Sequence, residues 1–412
     1  MSPRAAATAA VVAVALAAAL GWWLGPAEGE PATASATSAP GPALMAWPPV
    51  TARATTASLP AASAPRPGAP LSPLGKAERR AQLALWQGRL ERAQATLDGY
   101  RTSAQYPHES RPIEEHPDQV RPFEPISEER ALRMPGGTAP QDVKLLTTQE
   151  RVFASGTESS RVTVALQSAQ GRPLPLRVTR AVIREVTPPG ATASTAEFTP
   201  DANDAGRAGD ARAGDGVISV LVHPAAQGFG GFAGTVRLEL LLEHAGQPGF
   251  LYFDLVYSPE TAAVWLPGVR EVASPAGIDF FVKAMVRLPG RYVVSARIDD
   301  VQGEPVALAS FNAEVGAGEQ EFRLPVFGKL LRDTSPAMPL KVRDIEAFLL
   351  KPDRFPDRVM LPRRAGVQHT SRVHAIASFS NAEWEGEEKT RYLTELTKDV
   401  DEATREVQRL GP

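Results

Sequence analysis

The sequence predicts a mainly β protein: tandem immunoglobulin-like β-sandwiches with an N-terminal transmembrane helix, an N-terminal amphipathic helix and a C-terminal helix. Three observations predict it. From residue 142 onward, short runs alternate apolar and polar residues between Gly, Pro and Asp turn clusters. Ala5 to Gly25 is a 21-residue stretch without charge, and about 20 apolar residues span a bilayer core. Two further stretches, one on each side of the β region, repeat apolar residues every three or four positions.

The first element, residues 1–25, reads as a membrane anchor. Val11, Val14, Leu16 and Leu20 supply apolar bulk, and Trp22 and Trp23 sit where indole rings favour the interface. Arg4 and the terminal amine precede the stretch, while Glu28 and Glu30 follow it. The positive-inside rule then gives a single-pass chain in the inner membrane, N-terminus in the cytoplasm and bulk in the periplasm or outside the cell. A cleaved signal peptide is the rival reading, with Ala19-Leu20-Gly21 as its cleavage site.

Residues 26–74 hold 11 of the 38 prolines, and only Glu28, Glu30, Arg53 and Arg66 are charged. Such a Pro/Ala-rich segment buries too little apolar area to offset its ordering entropy and reads as a disordered, semi-extended linker. Within residues 75–101, Leu83, Trp86, Leu90, Ala93 and Leu97 fall at alternating spacings of three and four, with Tyr100 continuing the seam. This is an amphipathic helix that packs on its own body or, through 76–100, self-associates. Residues 102–141 contain YPHESRPIEEHPDQVRPFEP, proline-punctuated and without periodicity. This reads as an extended strap lying over a domain surface. Its His108, Glu109, Glu114, Glu115, His116 and Asp118 are metal-ligand types, but the prolines keep them off a common helix face.

Residues 142–257 form the expected first sandwich. Val236, Leu238, Leu240 and Leu242 share one face, and Thr235, Arg237, Glu239 and Glu243 the other. Lys144 to Phe153, Val162 to Leu166, Leu176 to Val186, Ser194 to Thr199 and Val217 to His223 add strands. Phe250 to Tyr257 is apolar on both faces, as for a central strand. Residues 258–366 form the second sandwich, with strands at Ile278 to Arg287, Tyr292 to Asp299, Val306 to Val315, Gln320 to Val326 and Val342 to Leu350. In the tail, 367–412, Ser380-Asn381-Ala382-Glu383 fits a capping box. Tyr392, Leu396, Val400, Ala403, Val407 and Leu410 then form a helical stripe.

Lys and Arg number 44 against 47 Asp and Glu, a net charge of −3, which gives no footprint for nucleic acid. The absence of cysteine removes disulfides, thiolate nucleophiles and Cys-ligated zinc. Calcium is the one cofactor with a candidate site. Asp201, Asn203, Asp204, Asp210 and Asp215 lie in a loop rich in glycine, and calcium takes oxygen ligands from such loops. The same residues are also turn formers that bond their own backbone. No GxSxG, Walker A, GxGxxG or HExxH pattern occurs, so no catalytic residue is assigned and the chain is read as a non-enzyme.

AGDARAGDGVISVLV at 208–222, PGRYVVSARIDDVQGEPVALASF at 289–311 and AGEQEFRLPVFGKLLRD at 317–333 resemble bacterial envelope proteins with a choice-of-anchor X domain. The 106–125 strap is similar to the segment preceding such domains. The resemblance implies an exported protein fastened to the envelope, here by its N-terminal helix and membrane lipid, and implies no catalytic residues. The resulting expectation is a membrane-anchored extracytoplasmic binding or scaffolding protein whose partner is an envelope protein or glycan. A calcium-dependent adhesion module and an envelope hydrolase acting on cell-wall or polysaccharide material are the alternatives.

Overall fold

The computed structural model describes residues 73–132, 143–187 and 196–411. The expected anchor, with Val11, Val14, Leu16, Leu20, Trp22 and Trp23, and nearly all of the linker lie outside the described residues. Among the described residues, no helix is long and apolar enough to cross a membrane. The described part is mainly β, with several antiparallel sheets.

Among the described residues, four sheets form two face-to-face pairs. In the first pair, one sheet runs in the order Ile126–Arg130, Val143–Gln149, Ser160–Ser168, Val217–Val222, Ala202–Asn203. The short strand Pro173–Leu174 also pairs with Ser160–Ser168. The facing sheet runs Phe153–Ser155, Gln247–Ser258, Gly234–His244, Arg177–Glu185, Glu197–Phe198. Val162, Val164 and Leu166 of the first sheet bury against Val236, Leu238, Leu240 and Leu242 of the second. The period-two pattern of the sequence therefore does set which side faces the core.

Two sequence expectations change here. The run expected as one strand from Lys144 to Phe153 is two strands in different sheets, and residues 150–152 carry the chain across. The run Phe250 to Tyr257 is buried on one face only. Leu251, Phe253, Leu255 and Tyr257 point inward, whereas Phe250 and Tyr252 are 48% and 46% exposed. The Arg237 guanidinium lies 4.1 Å from the Tyr252 ring centre and makes two hydrogen bonds to Asp254, at 2.7 and 2.8 Å.

In the second pair, one sheet runs Ser110–Pro112, Pro305–Val315, Gly290–Asp299, Lys341–Leu350, Arg358–Met360, with Arg364–Thr370 also on Lys341–Leu350. The facing sheet is Ala263–Ser274, Gly277–Val286, Gly318–Phe327. Phe280, Phe322 and Tyr292 fill its core, and the Tyr292 hydroxyl donates to the carbonyls of Leu288 and Ala262, at 2.7 and 3.0 Å. The strand Ala263–Ser274 escapes the sequence pattern because its register shifts between Trp265 and Val269, across Pro267-Gly268, so the alternation breaks in mid-strand. Gly277 leads into the next strand at φ +146°. A Cβ there would lie 2.1 Å from the Val326 carbonyl oxygen, so only glycine fits.

The proline-rich segment crosses this second pair. Ser110–Pro112 joins a sheet edge. Arg297, 1% exposed, donates through Nε to the Gln119 carbonyl at 2.9 Å and through Nη1 to the Asp344 carbonyl at 3.0 Å. Its Nη2 reaches Gln119 Oε1. Arg343 donates to the Val120 carbonyl at 2.9 Å, and the Arg363 guanidinium lies 4.8 Å from the Phe123 ring centre. A buried guanidinium requires such a full set of acceptors. Burial pulls the Arg297 pKa down to about 10 against the opposing pull of Glu346 and Asp344.

The two pairs of sheets are joined by specific contacts. Met360 N donates to Ser155 Oγ at 2.8 Å, and the Arg358 guanidinium lies 4.5 and 4.9 Å from the Phe153 and Phe348 ring centres.

Among the described residues there are three α-helices: α1 (Pro73–Ser103), α2 (Gly328–Thr334) and α3 (Glu387–Leu410). Helices α1 and α3 lie antiparallel. Near the start of α1, Arg79 donates to the carbonyls of Leu410 and Gly411, at 3.0 and 2.7 Å, and so caps the end of α3. At the other end, the Tyr100 and Tyr392 rings are 5.6 Å apart. Leu97 is buried, and Leu83, Trp86 and Leu90 are half-buried along the same side. The seam that a second chain could take is thus turned toward α3. The capping box at Ser380 is not used: α3 begins at Glu387, with Gly386 as its cap residue. Ser380 N donates instead to the Pro275 carbonyl at 2.7 Å, and Trp384 N to the Gln105 carbonyl at 2.9 Å. The first bond ties this segment to the sheets, and the second joins the segments that flank α1 and α3.

Candidate functional site: the Asp/Gly loop and the cleft beside it

The five residues proposed for calcium sit on one loop at the rim of the first pair of sheets. Asp204 accepts the backbone N–H groups of Gly214, Asp215 and Gly216, at 2.7, 3.1 and 2.9 Å. Asp210 accepts from Gly206 N at 2.7 Å and Ser219 Oγ at 2.9 Å. The Gly206 bond does most to hold its carboxyl below the usual range. Asp215 accepts from Val217 N at 2.9 Å, and Asp201 pairs with Arg207 at 3.4 Å. Asn203 Oδ1 accepts from Ala205 N at 3.1 Å. These side chains fold their own loop, as Asp and Asn do in tight turns. Among the described residues, no three carboxylate or imidazole groups are placed to hold a metal ion.

The folded loop forms one wall of a cleft of about 360 Å³. Leu174, Pro175, Leu176 and Val178 line one side, and Ala202, Asn203, Asp204, Gly216 and Ile218 the other, with Arg177 also at its lining. The cleft opens where the chain passes from one sheet to the other, between Pro173–Leu174 and Arg177–Glu185. Leu174, Leu176, Val178 and Ala202 pack against the core, so the cleft is a gap in the core's rim. Asn203 Nδ2 is buried without a hydrogen-bond partner among the described residues. The Ala205 N–H fixes which end of the amide is oxygen. Sequence reading singled out the loop, but not the cleft, because Leu174–Val178 approach it only through the fold.

A second polar cluster lies at the join of the two sheets of the second pair. Glu271 accepts from His374 Nε2 at 2.6 Å, His369 Nε2 at 3.3 Å and Arg372 N at 3.0 Å. Burial acts to raise the Glu271 pKa, but these hydrogen bonds outweigh it and hold the carboxyl below its ordinary value. His369 and His374 do not share a helix face. They meet through one carboxylate about a hundred residues earlier, a pairing that sequence spacing does not display. The strap's metal-ligand types do not gather in this way: His108 pairs with Glu109 at 3.5 Å, and Glu115 accepts from Arg111 Nε at 2.9 Å.

No protein-family model and no curated protein matches the chain. Among solved structures, a DUF4785 family protein from Legionella pneumophila subsp. pneumophila str. Philadelphia 1 shares 11% identity at a TM-score of 0.37. The match covers 55% of this chain and 57% of that one, so this chain spans little more than half of that protein's length. Dimeric latent PorU from Porphyromonas gingivalis shares 10% identity at a TM-score of 0.17, over 61% of this chain and 21% of that one. A chimeric titin Z1Z2 tandem shares 9% identity at a TM-score of 0.18, over 58% of this chain and 98% of that one. Likeness at this level carries no argument for fold or function.

Proposed function

We propose that this chain is a membrane-anchored, extracytoplasmic binding or scaffolding protein of the cell envelope. In this reading the two pairs of sheets are immunoglobulin-like sandwiches, displayed on a stem made by α1 and α3. The observation that carries it is the direction of the stem. The start of α1 lies beside the end of α3, while at the other end the chain leaving α1 and entering α3 is tied to the body by the Tyr106–Asp333 and Ser380–Pro275 bonds. The chain preceding α1 therefore joins the stem at its far end. Thirty-one residues of helix at about 1.5 Å each give a stem of about 46 Å. In this reading residues 5–25 form the membrane helix, and a proline-rich linker leads from it to the stem. The stretches resembling choice-of-anchor X proteins agree with this reading. Partners would meet the sandwich surfaces, where loops and sheet edges are available.

Fractionation of the native cell tests it. The chain is expected in the inner-membrane fraction, to stay there through an alkaline wash and to retain its first residues on N-terminal sequencing. In-cell crosslinking is then expected to join it to other envelope components. A mature protein starting near Trp22 and recovered in the soluble fraction would overturn the anchored reading.

A further inference from the structure

We infer that the outer face of the sheet containing Gly234–His244 and Gln247–Ser258 is a binding surface for a neutral, extended β-linked glycan, which lies across Phe250 and Tyr252. The inference rests on the binding reading above and names its partner class.

Phe250 and Tyr252 lie two residues apart on one strand, so both rings leave the sheet on its outer side. They are 48% and 46% exposed, and Leu241, 41% exposed, stands directly across from Phe250. The ring centres are 6.3 Å apart, comparable to the step between neighbouring sugars of an extended chain. Arg237 stacks on Tyr252 at 4.1 Å and is itself fixed by Asp254, which sets the ring in place before a ligand arrives. A pyranose carries hydroxyls around its rim and C–H bonds on its faces. Those C–H groups are drawn to the negative face of an aromatic ring, and the rim hydroxyls find a donor and an acceptor in the Arg237–Asp254 pair.

Two observations select a glycan over a protein. The first is area. An aromatic side chain covers about 150–250 Å², so rings half exposed offer roughly 100 Å² each. A stable protein interface takes about 800 Å² from each partner, whereas a short stretch of sugar chain covers a patch of this size. The second is charge. Arg237 is paired with Asp254, Arg184 with Glu239, and Arg180 with Glu197 at 3.8 Å. The charges that flank the rings are thus used within the face, which complements a neutral partner. The outer face of the sheet containing Gly277–Val286 differs, since the ion pairs Arg270–Glu321, Lys283–Glu319 and Arg323–Asp279 cross it.

The test uses the full chain in a detergent without a sugar headgroup, titrated calorimetrically with cellohexaose, hexa-N-acetylchitohexaose and maltohexaose. A Kd below about 1 mM is expected for at least one of the two β-linked chains, with the coiled α-linked maltohexaose about tenfold weaker or more. Phe250→Ala and Tyr252→Ala should each weaken binding about tenfold with melting temperatures little changed. Phe250→Trp keeps a ring at the site and should retain binding. Met285→Ala, at a side chain exposed on the outer face of the other sheet, should change nothing. Equal binding to the wild-type and Phe250→Ala proteins, no binding of either β-linked chain at about 1 mM, or a concentration-dependent dimer broken by Phe250→Ala would each overturn the proposal. Failure here with envelope crosslinks retained would remove the glycan face and leave the scaffolding reading in place.

Discussion

At the scale of single residues, the buried charged groups Arg297 and Glu271 are each held by several partners. Glu271 is the clearest titratable case, because a buried carboxylate is tolerated only where donors converge on it. His369, His374 and Arg372 are the groups that face it. Its folded-state pKa lies below the ordinary 4.5. The carboxylate therefore stabilises the fold fully above about pH 4.5, and that contribution is lost as pH falls through the lowered value. Glu271→Gln should cost about 1–3 kcal/mol at neutral pH, and the two proteins' melting temperatures should converge on acidification. Parallel melting curves from pH 7 down to the acid limit would contradict this. Little of such detail is legible in sequence. Glu271 and His374 are 103 residues apart, and nothing local marks them as partners. Asn203 was legible as a loop residue, but its free amide was not, since a missing partner shows only once the surrounding chain is in place.

At the scale of elements, legibility followed periodicity. The alternation in Gly234–His244 assigned every second side chain to the core because one face of that strand is covered and the other is not. In α1, Leu97 is buried and Leu83, Trp86 and Leu90 are half-buried. What failed were features where tertiary contacts override a local signal. The capping box at Ser380 lost its helix because neighbouring backbone groups bond to Pro275 and Gln105 instead. Phe250 and Tyr252 suggested a central strand, yet they are surface aromatics. The paired helices carry their own prediction. Leu97→Ala removes a buried side chain from the seam and should cost the helix pair about 2–3 kcal/mol. Limited proteolysis should then cut within α1 and α3 well before the sheets, whose unfolding stays unchanged. If the helices and sheets were released together, the two would be one cooperative unit rather than a body and its stem.

At the scale of the whole molecule, a few specific contacts tie the two pairs of sheets and the strap together. The Ser155–Met360 bond and the Arg358 stacks join the two pairs of sheets to each other. Arg297 and Arg343 pin the strap that leads from α1 into the sheets. Without cysteine, all of this rests on burial and hydrogen bonding. The same absence permits a direct measurement of topology, because any introduced thiol is unique. Single variants Ser2→Cys and Val373→Cys, the latter at a side chain 76% exposed, are expressed in the native cell. Spheroplasts are then treated with a membrane-impermeant maleimide before and after lysis. The account predicts that Val373→Cys is labelled in intact spheroplasts and Ser2→Cys only after lysis; labelling of Val373→Cys only after lysis would contradict it.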